Sequence, residues 1–240
     1  MKSKYFLLPL LLLLASCGET PATSTPDDKP SESSVVESSS VVDSSAAELA
    51  AEILLLNNAS NPYTIRDSIT IIKDGTIYLS TFYRIEYDAE NGIYYTINQE
   101  NGYTDLSDSA SYYTSSKTVY YDGYDSYTLD SDDMYIKKEE AKEIKDLEIG
   151  FNFSLVENLT FKKEGYRNTL TGIVKSSNAN EFLSKQGKEI SDIEFKSYSN
   201  GETLQTLEFV YYQNGFKVSR TIDYTYINVS LTIPKNIKKF

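Results

Sequence analysis

The stretch TIYLSTFYRIEYDAENGIYYTIN, residues 76–98, decides the fold. Ile77, Leu79, Thr81, Tyr83, Ile85 and Tyr87 fall on every second position, and all but Thr81 are apolar or aromatic. A period of two places them on one face of a pleated strand. Asn91-Gly92 then supplies the residue pair that a tight hairpin demands, and Ile93, Tyr95 and Ile97 resume the same period. Two antiparallel strands follow from these residues alone.

Outward from this hairpin the same signals recur. Asp74-Gly75, Asn101-Gly102 and Asp122-Gly123 read as further turns between residues 63 and 128. Tyr112, Tyr113, Tyr120, Tyr121, Tyr124 and Tyr127 fill the next strands and put aromatics on both faces. Asp130, Asp132 and Asp133 interrupt the pattern. Residues 137–145, with Glu139 and Glu143 among lysines, read as a charged helix. Residues 146–158 hold Leu147, Ile149, Phe151, Phe153, Leu155 and Val156. They fit a strand or, after Gly150, a buried loop with a short helix, which is the expectation here.

The last third repeats the first. Residues 159–163 and 166–174 pair across Glu164-Gly165, and Ser177 or Asn178 caps a short helix holding Phe182 and Leu183 and stopped by Gly187. Four strands are expected at about 190–198, 203–212, 216–226 and 227–233, with turns at Asn200-Gly201 and Asn214-Gly215. Val218, Ile222, Tyr224 and Tyr226 share a face with Arg220. The apolar parity flips between Tyr226 and Ile227 without a turn signal, which predicts a bulge or sharp bend.

Upstream, the period is helical. Ser45 with Glu48 forms a capping box, Leu49, Ile53 and Leu56 share one face, and Asn61-Pro62 ends the run. Residues 17–45 are dense in Ser, Thr, Pro and acid, and repeat Ser-Ser-Val-Val at 33–36 and 39–42. Such a stretch buries too little apolar area to offset its ordering entropy and reads as a tether. Before it, Lys2 and Lys4 precede a Leu-rich run closed by Leu14-Ala15-Ser16-Cys17. This is the layout of a secretory leader, too short to span a bilayer as a helix, with a lipobox at its end. The expected organisation is a leader at 1–16, a tether at 17–45 and one domain at 46–240. Cys17 is the expected lipidation site, which places the domain on the extracytoplasmic face of a bacterial membrane. Two acyl chains suffice for stable anchoring, at about 0.8 kcal/mol per buried methylene.

Composition narrows the chemistry. The 240 residues include 23 Lys and Arg against 35 Asp and Glu, a net of −12, which argues against nucleic acid. There is no His, so the commonest general base and metal ligand is missing. Cys17 is the single cysteine, which leaves no thiol for a nucleophile or a disulfide. Ser184-Lys185 reads as a solvated helix end rather than a catalytic pair. Asp130, Asp132 and Asp133 resemble a calcium loop only in part, because Tyr135 and Ala141 stand where such a loop needs Gly and Glu. No catalytic residue, no metal and no cofactor is expected. The 21 tyrosines suit a half-buried sheet, and Tyr112-Tyr113 and Tyr120-Tyr121 are candidates for stacking on sugars or peptides. The Asn-x-Ser/Thr triplets at Asn58, Asn152, Asn158 and Asn228 read as chance in a bacterial chain.

The order Leu170-Thr171-Gly172-Ile173-Val174, a short helix at 178–185, and a meander ending Leu231-Thr232-Ile233-Pro234 resembles the back half of the LolA/LppX-like lipoproteins. The likeness covers about residues 159–234. It implies a hollow between helix and sheet that holds acyl chains or a lipidated partner, and it identifies no ligand-binding residue. The expectation is α+β: a strongly curved antiparallel sheet, an incomplete barrel, with one to three helices on its concave face. Two functions stay open. One is a non-enzymatic carrier of a hydrophobic ligand or lipidated partner; the other is a surface structural or interaction lipoprotein with a filled core and a Tyr-rich partner face.

Overall fold

Two-residue reversals organise the chain. At Asp74-Gly75 and Asn214-Gly215 both residues take left-handed backbone, with φ of 49° and 81°, and 51° and 78°. That is the mirror-image turn whose twist matches the flanking strands. The computed structural model describes residues 44–57, 62–139, 151–184 and 187–238. These belong to one unit, residues 41–240.

The described residues form eleven antiparallel strands in a single open sheet. The first meander is β1 (Thr64–Lys73), β2 (Thr76–Asp88), β3 (Ile93–Tyr103), β4 (Tyr112–Tyr121), β5 (Asp125–Leu129) and β6 (Tyr135–Glu139). The second is β7 (Val156–Glu164), β8 (Arg167–Val174), β9 (Ile193–Ser199), β10 (Leu204–Gln213) and β11 (Phe216–Thr225). In each meander neighbours in sequence are neighbours in the sheet, and β1 pairs with β11 to join the two. Helices α1 (Ser44–Asn57) and α2 (Ala179–Phe182) complete the fold, with short 3-10 turns at Ser109–Ser111, Phe153–Leu155 and Ser176–Asn178.

The β1–β11 seam needs a lock, because its strands lie far apart in sequence and closing that loop costs entropy. Arg220 supplies it: its Nε and Nη2 donate to Asp67 Oδ1 and Oδ2 at 2.9 and 2.7 Å. Both side chains are nearly buried, and the guanidinium lies 5.1 Å from the Phe151 ring centroid.

Register defines two faces. Ile65, Asp67, Ile69 and Ile71 of β1 align with Tyr224, Ile222, Arg220 and Val218 of β11. The same face continues into Leu207, Phe209 and Tyr211 of β10, Phe195 of β9, and Leu170 and Val174 of β8. On this core face Phe151, Phe153, Phe182, Phe195 and Phe209 make a continuous ring cluster, with centroids 4.8 to 6.1 Å apart. Phe182, Phe209, Leu170, Ile193, Leu207, Ile222 and Val174 are sealed from water. Each such burial is worth about 1.5–3 kcal/mol. Leu49, Ile53 and Leu56 of α1 pack against the same core. The helix is also pinned through Glu52, which is buried and accepts from Ser199 Oγ at 2.7 and 2.8 Å and from Asn168 Nδ2 at 2.6 Å.

Several expectations change. Asn101-Gly102 is not a turn but lies inside β3, opposite Ser80 and Leu79. Its glycine serves close packing: a Cβ there would stand 2.8 Å from the Tyr78 carbonyl oxygen. The chain reverses later, through Asp105, Asp108 and Ser111, which hydrogen-bond neighbouring backbone. The charged helix over 137–145 is not formed at its start, because Lys137, Lys138 and Glu139 belong to β6. Cross-strand partners outcompete helical ones there: Lys137 Nζ sits 2.7 Å from Asp125 Oδ2 and over the Tyr127 ring. Residues 140–145 lie outside the described ones.

The strand over 227–233 is absent, and β11 ends at Thr225. The parity flip at Tyr226 therefore marks a strand end rather than a bulge. The tail instead spends its backbone on the first meander. Leu231 N–H donates to Asp88 Oδ2 at 2.8 Å, and residues 236–238 exchange backbone bonds with Tyr135 on the edge strand β6. The other edge, β7, carries Lys162, Lys163 and a register shift at Asn158, devices that discourage further pairing. Elsewhere the expected hairpins and the 3-10 turn after Gly150 are present. The short helix is α2, which ends at Phe182, and Asn178 caps it without a side-chain bond.

Candidate binding face

Strand alternation splits each tyrosine pair between the two faces. Tyr113 and Tyr121 lie with the core-face residues of β4, and Tyr112 and Tyr120 lie on the far face. Tyr113 donates its hydroxyl to Glu100, and that bond to an acid pushes its pKa up. Tyr121 is buried. The far face is where rings collect. Tyr95 and Tyr120 oppose each other with centroids 4.8 Å apart, and Tyr135 adds an edge contact to Tyr120 at 5.7 Å. Burial, then the neighbouring Tyr135 and Tyr95, raises the pKa of Tyr120. At the other end of the same two strands Tyr103 and Tyr112 meet edge-on at 5.1 Å, and Tyr112 is 51% exposed.

Between these two ring pairs the far face is polar except for Ile97. Gln99 faces Ser116 and Asn101 faces Thr114 across β3 and β4. With Ser115 they line a hollow of about 290 Å³. A second hollow of about 400 Å³ opens on the far face of β8–β10, with Thr171, Glu194, Lys196, Glu208 and Val210 in its wall. Beside it, the Arg167 guanidinium stacks 3.7 Å from the Tyr198 ring centroid.

The remaining candidates are placed as follows. Asp130 and Asp132 hold Lys238, whose Nζ lies 2.9 and 3.4 Å from their carboxylates. The ammonium lowers the pKa of Asp130, and the two acids raise that of Lys238. Among the described residues, no group of three His, Cys, Asp or Glu side chains is arranged to hold a metal. Ser184 lies two residues past the end of α2 in left-handed backbone, and Lys185 is outside the described residues. Asn152 caps the 3-10 turn, Asn158 sits at the β7 register shift and Asn228 in the tail, whereas Asn58 is outside the described residues. Cys17 is also outside them. Among the described residues no helix is long and apolar enough to cross a membrane.

Three polar groups escape a reading by periodicity: Glu52, Asp67 and Asp88. Glu52 stands next to Ile53 on the helix face that also carries Leu49 and Leu56, so an acid among core positions was the available signal. Asp67 falls in phase with Ile65, Ile69 and Ile71, and Arg220 falls in phase with Val218 and Ile222. Asp88 is sealed from water and accepts from Glu90, Asn91 and Leu231. The Asn91 side chain, then the Leu231 N–H, lower its pKa. No protein-family model and no curated protein matches the chain.

Proposed function

We propose that the protein is a non-enzymatic lipoprotein, anchored through Cys17 to the extracytoplasmic face of the bacterial membrane, that meets its partners through the Tyr-bearing far face of β3 and β4. One observation carries this reading over a lipid carrier. Among the described residues, five phenylalanine rings pack as one cluster between residues 151–155, α2 and the sheet, whereas Tyr95, Tyr103, Tyr112 and Tyr120 of the first meander stand half-buried or exposed on the far face. Rings packed this closely favour a core without cargo, and Tyr joins an apolar body to a polar tip, as interfaces favour. The reading includes a strongly curved sheet, an incomplete barrel with the helices on its concave face, related to the LolA/LppX-like lipoproteins in shape rather than in cargo.

Two measurements test it. Cys17→Ser should release the chain from the membrane fraction; full retention counts against the anchor. A benzophenone amino acid in place of Tyr112, in producing cells, should cross-link to an extracytoplasmic partner. Absence of any adduct, or lipid found in native mass spectra of the chain, would turn the choice back to the carrier.

A further inference from the structure

We infer that the far face of β3 and β4 is a carbohydrate-binding surface whose ligand is an extended, uncharged glycan chain. The inference rests on the partner-face reading above and gives that partner a chemistry. Its basis is the order of side chains along the two strands. Tyr103 faces Tyr112, then Asn101 faces Thr114, Gln99 faces Ser116, Ile97 faces Thr118, and Tyr95 faces Tyr120. The two ring pairs stand eight positions apart, about 27 Å at the rise of an antiparallel strand. The stripe is thus long and ringed at both ends, with a polar hollow between.

The hollow selects against other ligands. The far-face side chains in its wall are two amides and two hydroxyls, Gln99, Asn101, Thr114 and Ser116, none of them ionisable, in a chain of net charge −12. The neighbouring cation on this face, Arg84 opposite Ile97, is already paired with Glu86, so a phosphate or an acidic peptide finds no free counter-charge. An acyl chain would cover amides and leave them unpaired, which is costly. Among the described residues, no protein hydrogen bond occupies these four side chains. Each amide presents a donor and an acceptor side by side, and each hydroxyl can do either. Neighbouring hydroxyls of a pyranose ask for that alternation, and the apolar face of the sugar ring asks for an aromatic platform. A protein partner fits less well. Protein interfaces put apolar anchors at the centre and polar groups at the rim, and this stripe has the reverse arrangement.

The test uses the full chain, purified in a polyoxyethylene detergent, in native gels cast with one polysaccharide each. The neutral probes are a soluble β-1,3-glucan, galactomannan, arabinoxylan and glycogen; the charged probes are dextran sulfate and polygalacturonate. At least one neutral polymer should retard the protein, and the charged ones should not. The Gln99→Ala/Asn101→Ala double variant and, separately, Tyr112→Ala should weaken that retardation about tenfold, the loss expected for a hydrogen bond or a ring, with unchanged thermal unfolding. No retardation by any neutral polymer overturns the inference, as does retardation that both variants leave intact. A protein adduct at Tyr112 in the cross-linking experiment, with no retardation here, rejects the glycan and keeps the partner face. Absence of both rejects the two together.

Discussion

Along β8–β11, Leu170, Val174, Ile193, Leu207, Phe209 and Ile222 are sealed from water, while along β3 and β4 the rings of Tyr95, Tyr103, Tyr112 and Tyr120 remain partly or largely in it. Both meanders use the same hairpin chemistry. Among the described residues, α1, α2 and residues 151–155 bring apolar side chains to a core centred on the second, while the first contributes Ile65 and Ile85 to it and buries Val119 and Tyr121. The first adds fewer buried side chains and relies also on strand pairing and on cross-strand rings such as Tyr87 and Tyr94, stacked at 4.6 Å. Cross-strand pairs contribute about 0.2–1 kcal/mol each, well below a buried Phe. Stability therefore concentrates in one meander, and the other is free to carry polar and aromatic groups for contact.

The largest test of this contrast is Phe209→Ala. It removes a ring that touches Phe151, Phe182 and Phe195, and should cost about 3–5 kcal/mol in urea unfolding. A loss below 1 kcal/mol would break the comparison. Next is the seam between the meanders. Asp67→Ala strands Arg220 and should cost about 3 kcal/mol, whereas Asp67→Leu with Arg220→Met should cost clearly less, because the pair repays little beyond its own desolvation. Glu52→Ala should cost about 1–3 kcal/mol and raise amide exchange in α1, since Ser199 and Asn168 lose their acceptor.

A smaller effect belongs to acid conditions. Asp88 has its pKa lowered in the folded chain, so it binds a proton more readily when unfolded. Its stabilisation is present above the unfolded pKa of about 3.9 and fades as pH falls through the folded value. Asp88→Asn should flatten the denaturation midpoint measured between pH 5 and 2, and should loosen the tail at Leu231. Smallest of all, Tyr112→Ala should change stability by about 0.5 kcal/mol or less, because half of that ring is already in water. A cost like that of Phe209→Ala would make the far face structural and erase the distinction.

Legibility tracks the same division. Asp74-Gly75, Asp122-Gly123, Glu164-Gly165, Asn200-Gly201 and Asn214-Gly215 all mark real reversals, because turn chemistry acts over four residues. Asn101-Gly102 misleads since its glycine answers to Leu79 and Tyr78 on the next strand. Residues 137–139 mislead because Asp125 and Tyr127 lie across the sheet rather than along the chain. For the candidate face, Tyr112 and Tyr120 are legible as aromatic candidates for stacking, but their separation from Tyr113 and Tyr121 follows from a register that begins elsewhere. Gln99, Asn101, Thr114 and Ser116 carry no sequence signal, because amides and hydroxyls become a surface only when two strands align.

The sequence by itself determined the sheet, its hairpin order, the helix that precedes it, and the expectation of an anchored chain, all of which rest on periods and turns that act within a few residues. Tertiary structure alone decided that β1 meets β11, that Asp67 and Arg220 lock the seam, that the tail runs to Asp88 and Tyr135 instead of adding a strand, and on which meander the core is centred. Those outcomes depend on free energies shared between residues more than a hundred positions apart. No local pattern encodes them, because each group finds its partner only after the rest of the sheet has assembled.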